Sequence, residues 1–317
     1  TLELVRDAVA VEPVEPLSLK GKSDVVGAHR LVGVHEAPSY DQRLEVPLVG
    51  RREELARMRR AFDEAVSARR CERVTVLGPP GIGKSRIARE LSAALGDEAI
   101  VLVGRCLPYG EGITYWAVRE IFTTAGAEDE LDAALAADAP EEVFWAIRKE
   151  LERRARERPL ALVVEDIHWA EPTLLALLEH LANWTRDAPV LLLCLARPEL
   201  LDERPGWSGA AITLTPLSGE ESDRLIEELL GDAQVEDHTR ARIRDAAEGN
   251  PLFVEQMLAM LVEGGSSADV PPTIQALLAA RLDALPEEER HLLERAAVIG
   301  LDFEWEALGE LEPSRRR

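Results

Sequence analysis

Two apolar rhythms alternate through the middle of this chain. In "RREELARMRRAFDEAV", Leu55, Met58, Phe62 and Val66 recur at steps of three and four, which stacks them on one face of a helix. "RVTVL" (Arg73–Leu77) then reads as a short strand, followed by a glycine-rich loop and a helix expected over Lys84–Leu95. "AIVLVG" (Ala99–Gly104), "PLALVVED" (Pro159–Asp166) and "PVLLLCLA" (Pro189–Ala196) have almost no polar alternation, and "AITLT" (Ala211–Thr215) makes a fifth strand. Such runs suit parallel strands buried on both faces. With helices between them, Pro172–Trp184 among these, they predict a doubly wound α/β domain over residues 46–216.

The rhythm changes at both ends. "EPLSLKGKSDVVGAHRLVGV" (Glu15–Val34) has two apolar pieces around a Gly-Lys-Ser turn, a β-hairpin pattern. A hairpin alone makes no independent core, so it packs on a neighbour or ends a domain whose body precedes it. Residues 35–45 are polar and read as a linker. Beyond Leu217 the strand pattern stops. Ser218 with Glu221 three residues on is a capping box, and four or more helices are expected up to Leu311. In "EGNPLFVEQML" (Glu248–Leu258), Gly249-Asn250 ends one helix and Pro251 begins the next at its first position.

Charge narrows the function classes. Lys and Arg number 37 against 59 Asp and Glu, a formal net charge of −22. That argues against direct nucleic-acid binding, which needs a clustered basic face. The acidic stretch around Glu128–Asp138 reads as a solvated face. Cys71, Cys106 and Cys194 are scattered among apolar runs and fit small core residues rather than a disulfide framework or zinc site. No apolar run is long enough for a membrane span and no leader pattern opens the chain, so a cytoplasmic protein is expected. It starts at Thr1 rather than Met, as a fragment would.

The chemistry concentrates in "LGPPGIGKSR" (Leu77–Arg86). Gly78, Pro79, Pro80, Gly81, Ile82, Gly83, Lys84 and Ser85 fit GxxxxGK[ST], between a strand and a helix as a phosphate loop requires. Glycines let backbone N–H groups approach phosphate oxygens, and the helix N-terminus adds its positive end. Lys84 is placed to neutralise β and γ oxygens, and Ser85 to give a hydroxyl to Mg²⁺. ATP or ADP with Mg²⁺ is the expected cofactor, and Arg86 closes the nucleotide-binding stretch. Such a loop predicts a carboxylate at the end of another buried strand, and "ALVVEDIHW" ends in Glu165-Asp166. One carboxylate is expected to serve the metal through water and the other to polarise the attacking water, with the division between them open. Arg197, after the fourth strand, is placed to sense the γ-phosphate. Arg105 is a candidate nucleotide contact, and His168 and Trp169 either shape the site or pack.

"VPLVGRREEL", "GPPGIGKSR", "LVVEDIHWAEPTLLALLEHL", "LARPEL", "LTPLSGEESDRLIEELLG" and "GNPLFVEQMLAML" occur in that order. Together they resemble the STAND class of P-loop ATPases, a signal-transduction group, from about Val46 to Leu311. The resemblance implies a helical domain over 217–270 and a partial winged-helix-like region over 271–317. It also implies that the nucleotide sits between core and helices, with Val49, Gly50 and Arg51 beside the adenine and Pro251 near the base or ribose. Glu165 stands where the class more usually has an aspartate, so slow hydrolysis is expected. "VEPVEPLSLKGKSDVVGAHRLVGV" resembles the last strands of a class III nucleotide cyclase. This implies a cyclase domain before residue 34 and helical repeats beyond 317 as intramolecular partners, with no cyclase activity in this chain alone. The expected function is a nucleotide-operated regulatory switch, with a nucleotide-dependent oligomer as a further expectation. The rivals are a non-hydrolysing scaffold and the ATPase core of a LuxR-type transcription regulator.

Overall fold

The computed structural model describes residues 9–17, 26–34, 47–107, 114–137, 139–207, 209–231 and 235–262, with a few single positions between 282 and 297. The chain divides into two units, Thr1–Pro47 and Leu48–Arg317. In the first, β1 (Val9–Leu17) and β2 (Val26–Val34) pair antiparallel, with register shifts between Ala10 and Val11 and between Val14 and Leu17. The Gly-Lys-Ser turn, the linker at 35–45 and nearly all of the expected winged-helix-like region lie outside the described residues.

In the second unit a five-stranded sheet has the order β4-β5-β6-β3-β7. Its strands are β3 (Cys71–Leu77), β4 (Ile100–Arg105), β5 (Leu160–Glu165), β6 (Val190–Ala196) and β7 (Ala210–Thr213). Every pairing in it is parallel. The doubly wound α/β expectation holds, with strand bounds moved by one or two residues. The strands adjacent in space are not adjacent in sequence: β6 lies between β3, which feeds the glycine loop, and β5, which carries the carboxylates.

The uninterrupted apolar runs follow from this layering. On one face, Leu160, Leu162, Val164, Leu192 and Cys194 meet α3 (Trp116–Thr124), α4 (Glu128–Leu135), α5 (Pro140–Glu157) and α6 (Pro172–Trp184). On the other, Ala161, Val163, Leu191, Leu193 and Leu195 meet α1 (Arg52–Ala68) and α2 (Lys84–Leu95). Leu191, Leu192 and Leu193 are all at 0% exposure, and burying each contributes about 1.5–3 kcal/mol. Pro140 and Pro172 occupy the starts of their helices, where a missing N–H costs nothing. The three cysteines are free and buried, and burial pushes the Cys106 and Cys194 thiols up to about 12.

One expectation on α1 is corrected. Met58 and Phe62 are buried as expected, but Ala65 completes the stripe and Val66 is 39% exposed. At 3.6 residues per turn, position 65 returns to within about 20° of Met58, whereas 66 lies about 80° past it.

Three further helices are described after the sheet: α8 (Gly219–Leu230), α9 (Asp237–Ala247) and α10 (Pro251–Val262), preceded by the short α7 (Glu199–Glu203) between β6 and β7. The expected capping box forms at α8. The Glu221 amide donates to Ser218 Oγ at 3.2 Å, and the Ser218 amide to Glu221 Oε2 at 2.8 Å.

Candidate functional site

The glycine loop leaves the sheet from β3, between β6 and the edge strand β7. The Gly78 amide donates to the carbonyl of Ala196 at the end of β6, at 3.2 Å, and the Leu214 amide to Leu77 O at 2.8 Å. Gly81 and Gly83 have φ of 78° and 103°, conformations that side chains rarely adopt. At Gly81 a Cβ would also lie 2.8 Å from Asn250 Oδ1, whereas nothing crowds Gly83. The first backward bond of α2 runs from the Ile87 amide to Gly83 O at 3.0 Å. The amides just before it form the orphan-donor end of the helix, a natural anion site. Lys84 is buried, and its Nζ donates to Gly78 O at 2.8 Å and Pro79 O at 3.1 Å. Burial holds this ammonium below its ordinary pKa, opposed first by the charge of Asp166.

The two carboxylates separate at the end of β5. Glu165 follows Ala161 and Val163 in the strand alternation, so it lies on the face that α2 and Ser85 occupy. It is 6% exposed. Its Oε2 accepts from Arg105 Nε at 3.1 Å and from Arg105 NH2 at 2.6 Å, across the β4–β5 register that pairs the two residues. Arg105, considered above as a nucleotide contact, is therefore engaged with Glu165, which holds its guanidinium above the ordinary pKa. The Arg105 amide also donates to Glu120 Oε2 at 2.7 Å. Beside this pair lies an open cavity of about 520 Å³ along the sheet edge, lined in part by Val103, Trp116 and Arg119.

Asp166 turns away from the strand. Its φ of 57° and ψ of 38° are left-handed, and they start the tight helical turn Ile167–Trp169. Its charge acts on both Lys84 and His168. Arg197 follows β6, the strand between the carboxylate strand and the loop strand, and its guanidinium lies 5.3 Å over the Trp169 ring. Trp169 in turn contacts His168, with ring centroids 4.9 Å apart. Lys84 and His168 thus each feel the charges of Asp166 and Arg197 at the carboxyl ends of the strands, the usual ligand position in an open α/β sheet.

The helical segment reaches the loop directly. Asn250 Nδ2 donates to Pro80 O at 3.0 Å, and the Leu252 amide lies 3.4 Å from Gly81 O. Pro251, chosen from the sequence, sits between these two contacts as the first residue of α10. Asn250 and Leu252 were the residues missed, although the quoted Gly-Asn-Pro turn contained one of them. Gly249 (φ 75°) is required here, because a Cβ would lie 2.4 Å from Leu217 O. Gly50 and Arg51 face the same joint. Arg51 NH2 donates to Thr215 O at 2.5 Å, and a Cβ on Gly50 would lie 2.6 Å from Glu221 Oε1.

Among the described residues no group of three or more His, Cys, Asp or Glu is set to hold a metal. One hydroxyl and one carboxylate, Ser85 with Glu165 or Asp166, fit Mg²⁺, which keeps several waters and takes its other ligands from phosphate. No helix among the described residues is long and apolar enough to cross a membrane.

Residues 47–193 match the AAA ATPase domain, and residues 218–264 match a domain of unknown function (DUF8739). This match supports a P-loop ATPase-class domain in residues 47–193, and nucleotide binding with Mg²⁺ is typical of that class. It is similar to an uncharacterized protein of Rhizobium meliloti (strain 1021), 26% identical over 332 residues. That alignment covers 86% of this chain and only 31% of the relative's length. Among solved structures it is similar to the Aeropyrum pernix ORC1 protein in complex with DNA, with TM-score 0.50 and 15% identity over 84% of this chain and 77% of that one. The STAND protein with a tetratricopeptide repeat sensor from Pyrococcus horikoshii gives TM-score 0.47 and 18% identity over 84% of this chain and 38% of that one. A Thermotoga maritima RuvB mutant gives 0.44 and 15% over 83% and 82%. The likeness to ORC1 shows a shared fold.

Proposed function

We propose that this chain is a nucleotide-operated switch: it holds ATP or ADP with Mg²⁺ at the Gly78–Ser85 loop, hydrolyses ATP slowly, and passes the nucleotide state to the helices after Leu217. The observation that carries the proposal is the contact of Asn250 and Leu252 with the backbone of Pro80 and Gly81. A loop that cradles phosphates and also carries the helical segment's hydrogen bonds transmits its own rearrangement to that segment.

In this reading Ser85 and Glu165 would hold Mg²⁺, which would supply charge neutralisation to the phosphates. Ser85 gives it a hydroxyl, and Glu165, on the same sheet face, holds one of its waters through the oxygen that Arg105 leaves free. Asp166 polarises the attacking water. Lys84 exchanges its two carbonyl partners for phosphate oxygens, and Arg197 faces the terminal phosphate. Val49, Gly50, Arg51 and Pro251 border the base and ribose.

The output is proposed to be a nucleotide cyclase domain preceding the β1–β2 hairpin. The support is the resemblance of residues 11–34, since the matched domains begin at residue 47. The grip of Arg105 on Glu165 favours a second reading, a scaffold that holds nucleotide without turnover. Single-turnover ATP hydrolysis decides between them. Lys84→Ala is expected to weaken ATP binding by about 100-fold, and Glu165→Gln and Asp166→Asn to slow hydrolysis by about 10²-fold or more. Unchanged hydrolysis in both carboxylate variants sinks the switch that resets by turnover and leaves the scaffold.

A further inference from the structure

Both ring nitrogens of His168 are buried and meet no hydrogen-bond partner among the described residues. A buried polar atom left unpaired carries its full desolvation cost, and an apolar side chain of the same shape avoids it. Packing alone therefore gives no reason for histidine here: phenylalanine would contact Trp169 equally well. The ring is surrounded by the machinery of the site. Asp166 faces it from its own turn, Lys84 from the start of α2, and Arg197 and Glu199 from the segment after β6. A neutral imidazole offers one N–H donor and one acceptor. The ring also contacts Trp169, and the Arg197 guanidinium stacks on the same Trp169.

We propose that His168 is a further residue of the nucleotide site, hydrogen-bonding an oxygen at its terminal end, either the γ-phosphate itself or the water held against it. The inference rests on the reading of the Gly78–Ser85 loop as a triphosphate site. ADP lacks that oxygen, so His168 separates ATP from ADP. Through Trp169 it ties the carboxylate turn after β5 to Arg197 after β6, and a nucleotide that fills the His168 position sets both.

The test compares the full chain with His168→Phe and His168→Gln. Thermal midpoints are measured without nucleotide, with Mg·ADP and with the Mg-bound β,γ-imido analogue of ATP, alongside single-turnover ATP hydrolysis. His168→Phe is expected to raise the nucleotide-free midpoint by on the order of 2 °C, because it removes two unpaired buried atoms. ADP affinity is expected to stay within about twofold while hydrolysis falls about 10- to 100-fold, with partial recovery in His168→Gln. Weakened analogue binding identifies the phosphate oxygen as the partner. Unchanged analogue binding with lost hydrolysis identifies the water. A His168→Phe chain that binds the analogue and hydrolyses ATP as the unsubstituted chain does overturns the inference and leaves the ATPase reading standing. An unsubstituted chain whose midpoint responds to neither nucleotide overturns both. Should His168→Phe fail to fold, the imidazole ¹⁵N resonance of His168 replaces it, assigned by its loss in His168→Gln. A resonance that moves with the analogue but not with ADP supports the inference, and one indifferent to both overturns it.

Discussion

Two buried polar clusters lie in the same α/β core and are finished differently. Beside the chain that enters β3 and β6, Glu152 on α5 is 1% exposed and completely paired. Its Oε1 accepts from Arg148 NH1 at 2.6 Å and from the Arg186 amide at 3.2 Å. Its Oε2 accepts from Lys149 Nζ at 3.0 Å and Arg156 NH2 at 3.4 Å. At the opposite ends of the strands, among the described residues, Lys84 bonds loop carbonyls, Glu165 shares one oxygen with Arg105, and the His168 ring nitrogens meet no hydrogen-bond partner. Both clusters hold charge out of water. The first closes its hydrogen bonds internally and holds helices together. The second leaves hydrogen-bonding capacity that, in the proposed function, the nucleotide takes up. Saturation, rather than charge or burial, separates the structural polar network from the proposed binding site here.

The sharpest way to break the comparison is Glu152→Ala. It leaves Arg148, Lys149 and Arg156 around an empty buried position, and is expected to cost about 3 kcal/mol in denaturant unfolding. The nucleotide-induced rise in thermal midpoint should persist in whatever folds. Equal loss of stability and nucleotide response would merge the two clusters into one. Lys84→Ala is the converse case. Losing two hydrogen bonds to carbonyls is expected to cost only about 1 kcal/mol of nucleotide-free stability, while the response to ATP disappears in the same melting series.

Asn250→Ala removes the bond to Pro80 and is expected to cost about 1 kcal/mol. Its informative readout is the ratio of ATP to ADP affinity, expected to change by about fivefold if the helical segment and loop are coupled. The smallest effect concerns pH. Burial alone would raise the Glu152 pKa, but hydrogen bonds from Lys149, Arg148 and the Arg186 amide outweigh it and hold the group below its ordinary value. A depressed carboxylate contributes stability above its unfolded pKa, and that contribution is lost as pH falls through the folded value. Glu152→Gln should therefore flatten the fall in stability below about pH 4, by about 1 kcal/mol or less. A midpoint–pH slope identical in both chains would remove Glu152 from that account.

Much of the fold was legible because its signals are local. The helix over Lys84–Leu95 and that over Pro172–Trp184 appear with the expected bounds. Within the runs at 159–166 and 189–196, the strands Leu160–Glu165 and Val190–Ala196 are buried throughout as parallel strands demand. Val66 was misplaced on α1 because spacings of three and four are both helical, and only their accumulated phase decides which residue turns inward. In the site, Lys84 and the glycines were legible because their roles need fixed residue types at fixed spacing. Asn250, Leu252 and the occupation of Arg105 were not, since each depends on a partner 60 to 171 residues away.

The sequence by itself determined the elements, the phosphate loop and the residue types of its site, because backbone propensity, capping and glycine geometry act over a few positions. The tertiary structure alone decided the strand order that places β6 between the loop and the carboxylates, and it decided which polar atoms are paired. Glu165 went to Arg105, Asn250 to Pro80, and His168 to nothing among the described residues. The physical reason is that a hydrogen bond's donor and acceptor are fixed by where strands and helices pack in three dimensions. No periodicity along the chain encodes that.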